Sequence, residues 1–252
     1  ETANLVSVLE EREGRLVLTG KTPPLAPTET IYSARFMGDR GFVVTFRQVD
    51  PLFTFDLSDP TNPRVVGELK IPGFSTYLHP VGDHHLLGIG EDRDEDGNWS
   101  SRRLKVSLYD VSDLSNPVEQ FKYVYGNASA HSEASYDHKA FNYFPSRSTL
   151  ALPVNGWGAD WNDFHSGLLV LDVDVERGFT LRGSLSFDDV YIEHGVGAWS
   201  YYYQPNVRRS VMADEFVYAI SDAGIRVADV ADLSTPVATA PFTPLWPKDG
   251  SL

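Results

Sequence analysis

The sequence predicts an all-β fold assembled from four-stranded antiparallel units, and three observations carry that prediction. The first is an internal repeat: FTFDLSDPTNPRVVGELK from Phe53, VSLYDVSDLSNPVEQFKY from Val106, LLVLDVDVERGFTLRGSL from Leu168 and IRVADVADLSTPVATAPF from Ile225. Each reads as an alternating strand ending in Asp, a turn and a second strand. The second is the spacing of the matching aspartates, Asp56, Asp110, Asp172 and Asp229, which recur at 54, 62 and 57 residues. The third is composition: 12% aromatic residues with 20 Gly and 16 Pro suit many short strands joined by tight turns. Four antiparallel strands recurring at such a period describe the blades of a β-propeller, somewhat longer than the usual blade.

The elements follow in order. NLVSVLEEREGRLVLTG, about residues 4–20, supplies only the last two strands of a blade. IYSARFMG and GFVVTFRQ then precede the first repeat, giving a blade over 31–70, and further blades follow at 74–126, 133–187 and 207–242. In three repeats an Asp (Asp59, Asp113, Asp232) sits three residues after the strand, and a Pro (Pro63, Pro117, Pro236) four residues later. The short acid bonds back to turn amides and Pro fixes φ, so each junction is a sharp hairpin.

The total is about four and a half blades within one propeller portion spanning 1–252. A ring completes its half blade with strands from elsewhere, yet Pro236 to Phe242 already finishes the last blade. The expectation is therefore an unpaired strand edge and a larger propeller, its remaining blades on another segment or another chain. The competing arrangement is a four-bladed ring with a decorative N-terminal hairpin.

A net charge of −14 repels nucleic acid and anionic membranes, so neither is an expected partner. The absence of cysteine removes disulfides, thiol nucleophiles and Cys-based zinc sites. No apolar run approaches the roughly 18 residues of a membrane helix, so no membrane insertion is expected.

IYSARFMGDRGFVVTFRQVDPLFTFDLSDPTNPRVVGELKIPGFSTYLHPVGDHHLLGIGED, then LKVSLYDVSDLSNPVE, SEASYDHKAF and ISDAGIRVADV resemble the secreted prokaryotic family with a C-terminal β-propeller distantly related to WD repeats. The similarity covers about 31 to 233. It implies a bacterial or archaeal exported protein, extracellular, at the cell surface or periplasmic, with a longer N-terminal part. It transfers no catalytic residue.

Candidate sites lie in the loops. EDRDEDGNW, Glu91 to Trp99, falls between the second and third strands of a blade. Asp92, Asp94 and Asp96 followed by Gly97 match the first half of a calcium loop, in which alternating carboxylates converge on a hard cation. Arg103 stands where an EF-hand needs its bidentate glutamate, so the candidate is an isolated Ca2+ loop with Asn98, Glu91 or a carbonyl completing the shell. The other reading is a solvated acidic tip eased by Arg93, Arg102 and Arg103.

None of the seven histidines forms an H-x-x-x-H pair. YDHKAF, Tyr136 to Phe141, reads as inner-strand sequence carrying a structural hydrogen-bond network. Two insertions, NGWGADWNDFHSG (155–167) and DDVYIEHGVGAWSYYYQPN (188–206), are crowded with aromatics. Trp157, Trp161, His165, His194, Trp199 and Tyr202 either pack on neighbouring blades or form a ligand or partner surface. The function expected is a binding or scaffolding module that assembles with a protein partner or the remaining propeller segment. The alternative is a hydrolase- or lyase-type enzyme at the propeller mouth, built from Asp160, Asp163, His165 and His194.

Overall fold

The computed structural model describes residues 3–46, 50–92, 103–126, 130–157, 164–193 and 205–242. They form one two-stranded and four four-stranded sheets, each an antiparallel meander in chain order. The two-stranded sheet is β1 (Ser7–Arg12) and β2 (Arg15–Lys21). The first full blade is β3 (Thr30–Met37), β4 (Arg40–Phe46), β5 (Asp50–Asp56) and β6 (Arg64–Ile71). The second is β7 (Phe74–Val81), β8 (His85–Asp92), β9 (Arg103–Asp110) and β10 (Val118–Tyr125). The third is β11 (Asn142–Phe144), β12 (Thr149–Trp157), β13 (Phe164–Asp174) and β14 (Gly178–Ser186). The fourth is β15 (Val207–Ala213), β16 (Phe216–Ser221), β17 (Gly224–Asp229) and β18 (Ala238–Pro241). The chain divides into two compact units, Glu1–Tyr125 and Gly126–Leu252.

The sequence repeat is a repeat of bonds. After each third strand one amide reaches back to the turn between the first two strands: Leu57 to the Asp39 carbonyl, Val111 to His84, Val173 to Ser148 and Val230 to Glu215, at 2.7–2.8 Å. The turn aspartates bond forward as their type predicts. Asp56 accepts from the Ser58 amide, Asp59 from Thr61, Asp110 from Ser112, Asp113 from Ser115, Asp229 from Ala231 and Asp232 from Ser234, at 2.8–3.0 Å. Hydrogen bonds from Ser58 hold the Asp56 carboxyl below its ordinary range, and Thr61 does the same for Asp59. The third blade departs from the pattern. Asp172 accepts the Arg182 guanidinium instead, and the turn is capped two residues later by Asp174, which takes the Glu176 amide at 2.9 Å.

Packing fixes the order of strands from inside to outside. In unit 1 the first strands of neighbouring blades meet, with Ser33 Oγ donating to the Ser75 carbonyl and Arg35 Nε to that of Leu78, both at 2.9 Å. In unit 2 Asn142 Nδ2 donates to the Ser210 carbonyl at 2.8 Å. Between them the middle strands bury apolar layers: Phe42, Val44 and Leu52 against Leu78, Leu86 and Tyr109 in unit 1, and Ala151, Leu168 and Val170 against Val207, Val217 and Ala219 in unit 2. β2 and β6 meet the next blade's turn through glycine, because no side chain fits there. A Cβ on Gly67 would lie 2.1 Å from the Leu114 carbonyl oxygen, and one on Gly20 would lie 2.4 Å from that of Pro60.

Two local expectations change. Residues 133–140 form short 3-10 turns, Glu133–Ser135 and His138–Ala140, rather than an inner strand, and the strand begins only at Asn142. The cause is capping: Ser132 Oγ accepts from the Ala134 amide and Asp137 Oδ1 from Lys139, so both short polar side chains take amides that a ladder would need. The insertion 188–206 opens with an α-helix, α1 (Asp188–Glu193), whose six residues are too few to register as helical periodicity.

Candidate functional site

A four-strand meander sorts its connections. The first-to-second and third-to-fourth turns lie at one end of each sheet, while the second-to-third loops and the links to the next blade leave from the other. The Asp–Pro hairpins occupy the first end. The acidic segment 93–102 in unit 1, and segments 158–163 and 194–204 in unit 2, all leave by the loop end of their own sheets.

In unit 2 that end is built from the residues where the strands stop. Trp157 closes β12 opposite Phe164, which opens β13, and the rings meet edge to face with centroids 5.0 Å apart. The next residue, His165, places Nδ1 2.7 Å from Asp188 Oδ2, while Asp188 Oδ1 accepts the Ser166 amide at 2.9 Å. Burial pushes the Asp188 carboxyl up, but the hydrogen bonds of His165, the Ser166 amide and Ser186 outweigh it and hold the group below its ordinary range. An ionised carboxylate only accepts, so Nδ1 carries the proton, and the imidazole is fixed in tautomer and orientation.

The neighbouring acid is held as firmly. Arg226, rooted on β17, donates through Nη1 and Nη2 to the two oxygens of Asp189 at 2.7 and 2.5 Å and through Nη1 to the Ser186 carbonyl, and its guanidinium lies 4.8 Å from the Phe187 ring centroid. Buried Ser166 ties the three chain segments together: its Oγ is 2.7 Å from Asn155 Oδ1 and 3.1 Å from the Pro205 carbonyl, and accepts the Val207 amide at 2.9 Å. Its hydroxyl is thus committed to structure rather than to nucleophilic attack. The roots of 158–163 and 194–204 are clamped side by side, with a half-exposed imidazole–carboxylate pair between them.

In unit 1 the loop end is ionic. Asp92 is buried at the root of 93–102, where its Oδ2 accepts from Arg103 Nη2 at 2.8 Å and its Oδ1 from Lys122 Nζ at 3.1 Å. Below it lies the buried Lys105, donating to the Pro72 carbonyl at 3.0 Å and paired with Glu119 at 3.3 Å; Ser107 Oγ also donates to Glu119. Burial pushes the Lys105 ammonium down, opposed by Glu119. On the inner strands Arg35 Nη2 donates to Tyr77 Oη at 3.0 Å, and Tyr77 Oη lies 3.1 Å from His79 Nδ1. Burial, with the Arg35 charge, takes His79 down to about 4.

Of the residues singled out by sequence, Glu91, Asp92, Arg103, Trp157 and His165 are placed. Asp94, Asp96, Asn98, Trp161, His194, Trp199 and Tyr202 lie outside the described residues, as do Asp160 and Asp163. Among the described residues no group of three or more His, Asp or Glu is placed to hold a metal ion, and no helix is long and apolar enough to cross a membrane. The sequence reading missed Asp188, Asp189 and Arg226. The signal available was the Asp-Asp pair closing a strand at the head of an insertion; Arg226 gave none.

Residues 1–233 match the family model described as a beta propeller domain. The chain belongs to the beta propeller domain family. Among curated proteins, this propeller chain is 43% identical over 191 residues to an uncharacterised protein of Archaeoglobus fulgidus, covering 75% of the chain and 28% of the relative. It is 51% identical over 108 residues to an uncharacterised protein of Methanocaldococcus jannaschii, covering 43% of the chain and 16% of the relative. The matches thus span about a quarter or less of these longer relatives. Among solved structures, a chain of the S. cerevisiae complex of dbp5 with nup159, gle1, IP6 and ADP aligns at 11% identity with a TM-score of 0.43, over 86% of this chain and 48% of that one. The AfRom2 CNH domain aligns at 10% identity with a TM-score of 0.32, over 95% and 87%.

Proposed function

We propose that the chain is a binding and scaffolding module, secreted or held at the cell surface, that assembles with further propeller strands and recognises a protein partner with the insertions of unit 2. The observation that supports recognition is the clamp of Asp188 and Asp189. Asp188, held by His165 and the Ser166 amide, ties the head of one aromatic-rich segment to the end of the other, and Asp189 anchors that head to Arg226 of the next blade. Preorganised roots lower the ordering cost of binding by the residues they carry.

The test is native mass spectrometry of the protein isolated from its source. A non-covalent protein partner that is lost on combining Trp161→Ala with Tyr202→Ala, while melting and circular dichroism stay unchanged, supports the proposal. A lone 28.0 kDa species overturns assembly, and a partner retained by the double variant overturns the insertions as the recognition face.

A second reading, an enzyme at the same end, is favoured by the His165–Asp188 pair, since an imidazole oriented by a carboxylate is suited to proton transfer. Under that reading the protein shows a hydrolase or lyase activity that His165→Gln removes, and the absence of any such activity in the parent excludes it. Calcium at the acidic hairpin belongs to the proposal as well. Each Asp92 oxygen is held by a cation, so the ligands would come from Asp94, Asp96 and Asn98 rather than from Asp92.

A further inference from the structure

The two-stranded sheet is a defined fraction of a blade. Gly20 on β2 follows a one-residue register shift and abuts the Pro60–Pro63 turn, as Gly67 on β6 follows such a shift and abuts the Leu114–Pro117 turn. β2 is therefore a fourth strand and β1 a third. The positions of the first and second strands are open along the edge of β1, which among the described residues pairs with β2 alone.

The neighbouring blade records the same vacancy. Three of the four first strands carry a register shift near their start, between Ile31 and Ser33, Ser75 and Tyr77, and Val207 and Arg209, so Ile31, Ser75 and Val207 correspond, as do Ala34, Leu78 and Ser210. Ser75, Leu78, Val207 and Ser210 are buried, and the Ser75, Leu78 and Ser210 carbonyls accept side-chain hydrogen bonds from the inner strand of the preceding blade. On β3 the equivalents are bare: Ile31 is 43% exposed, Ala34 is exposed, and Phe36 on the same face is 53% exposed. On the adjoining strands of that face, Val43, Phe53 and Phe55 are covered by Val6 and Leu25. The apolar interface between the half blade and the first full blade thus stops where the inner pair of strands should continue it.

A third position shows that the occupant is propeller sequence. Leu9 on β1 stands in the register of Phe55 on β5 and Tyr109 on β9. Phe55 and Tyr109 are fully buried on the side facing the preceding blade, whereas Leu9 is 52% exposed and Leu18 opposite it is exposed too. An edge-to-edge pairing of β1 with β1 of a second copy would leave both Leu9 and Phe36 in water.

Resting on the reading that the chain assembles with further propeller strands, we propose that the edge of β1 and the Ile31–Ala34–Phe36 face form one docking site for the two inner strands of this blade. Those strands come from a stretch of propeller sequence outside residues 1–252, of the kind that the length of the relatives provides. Their second strand pairs antiparallel with β1, their first covers Phe36, and polar side chains of the first donate to the Ile31 and Ala34 carbonyls. The blade preceding them covers Leu9 and Leu18.

The experiment places p-benzoylphenylalanine at position 36 of the polypeptide as its own cells make it, with irradiation, mapping of the adduct and hydrogen exchange of Ser7–Arg12. The expected adduct lies outside 1–252, in two alternating strands joined by a tight turn, and the β1 amides exchange more than about tenfold slower than in the 252-residue chain alone. Ala34→Arg, at an exposed position, removes both signals without unfolding the chain. An adduct with residues 7–12 of a second copy, an adduct within 1–252, or no adduct overturns the proposal. A source-isolated assembly heavier than 28.0 kDa that gives no adduct at position 36 leaves assembly standing and this site refuted, whereas a lone 28.0 kDa species removes both.

Discussion

Gly67→Ala is the sharpest test of how successive blades are joined. The added Cβ would stand 2.1 Å from the Leu114 carbonyl oxygen, 2.7 Å from Thr54 Oγ1 and 3.1 Å from Pro117 Cδ. The first atom is backbone in a Pro-braced turn, so the second blade must move by about 1 Å to restore van der Waals contact. Overpacking of this kind costs about 3 kcal/mol at the upper end of its usual range. The displaced Thr54 Oγ1–Leu114 O hydrogen bond adds about 1 kcal/mol. Replacing glycine inside a strand returns somewhat under about 1 kcal/mol. The net is about 3 kcal/mol, a fall in Tm of roughly 6–12 °C for a chain of this size. Gly20→Ala, facing the Pro60 carbonyl at 2.4 Å, should behave alike, while Gly41→Ala meets only the side chains of Phe36 and Phe55 at 3.1–3.2 Å and should cost less. Calorimetry of the three variants decides it. A Gly67→Ala chain melting within about 1 °C of the parent, or all three melting together, would refute both the inter-blade packing and the assignment of β2 as a fourth strand.

Further outcomes follow from the charged groups. His79 titrates at about 4 in the fold against 6.5 ordinarily, so its contribution to stability is complete above pH 6.5 and is lost as pH falls through 4. His79→Gln should flatten the parent's fall in Tm between pH 7 and 4, and parallel curves would remove His79 as an acid-sensitive element. Glu119→Gln leaves the ammonium of Lys105, itself only 1% exposed, without its counter-ion and should cost about 3–5 kcal/mol in urea denaturation. Combining Lys105→Met with Glu119→Leu should recover most of that loss, and a double variant no better than the single one contradicts the buried pair. If calcium binds the acidic hairpin, Asp94→Ala abolishes a calcium-dependent rise in Tm, whereas the same rise with and without Asp94 rules that loop out.

What the sequence determined by itself was the part of the molecule written in local chemistry. Alternation with period two, an Asp able to bond its own turn and a Pro that blocks a ladder act within a few residues. That is why the four full blades, and the hairpin at residues 7–21, were legible. The same logic failed where a side chain had competing local uses. Asp137 caps a 3-10 turn instead of sitting in a strand, and Asp172 takes Arg182 while Asp174 does the turn's work. His165 and Asp92 stood out as candidates, but their partners are cross-strand or 23 residues away: Asp188 for one, Arg103 and Lys122 for the other. Arg226 reaches Asp189 from a different blade, and no spacing in the chain announces such a pair. The sequence already placed β1 and β2 as the last two strands of a blade; only tertiary structure decided which apolar residues the missing strands leave bare, Leu9 on β1 and Ile31, Ala34 and Phe36 on β3, because burial is a property of neighbours that the local pattern does not contain.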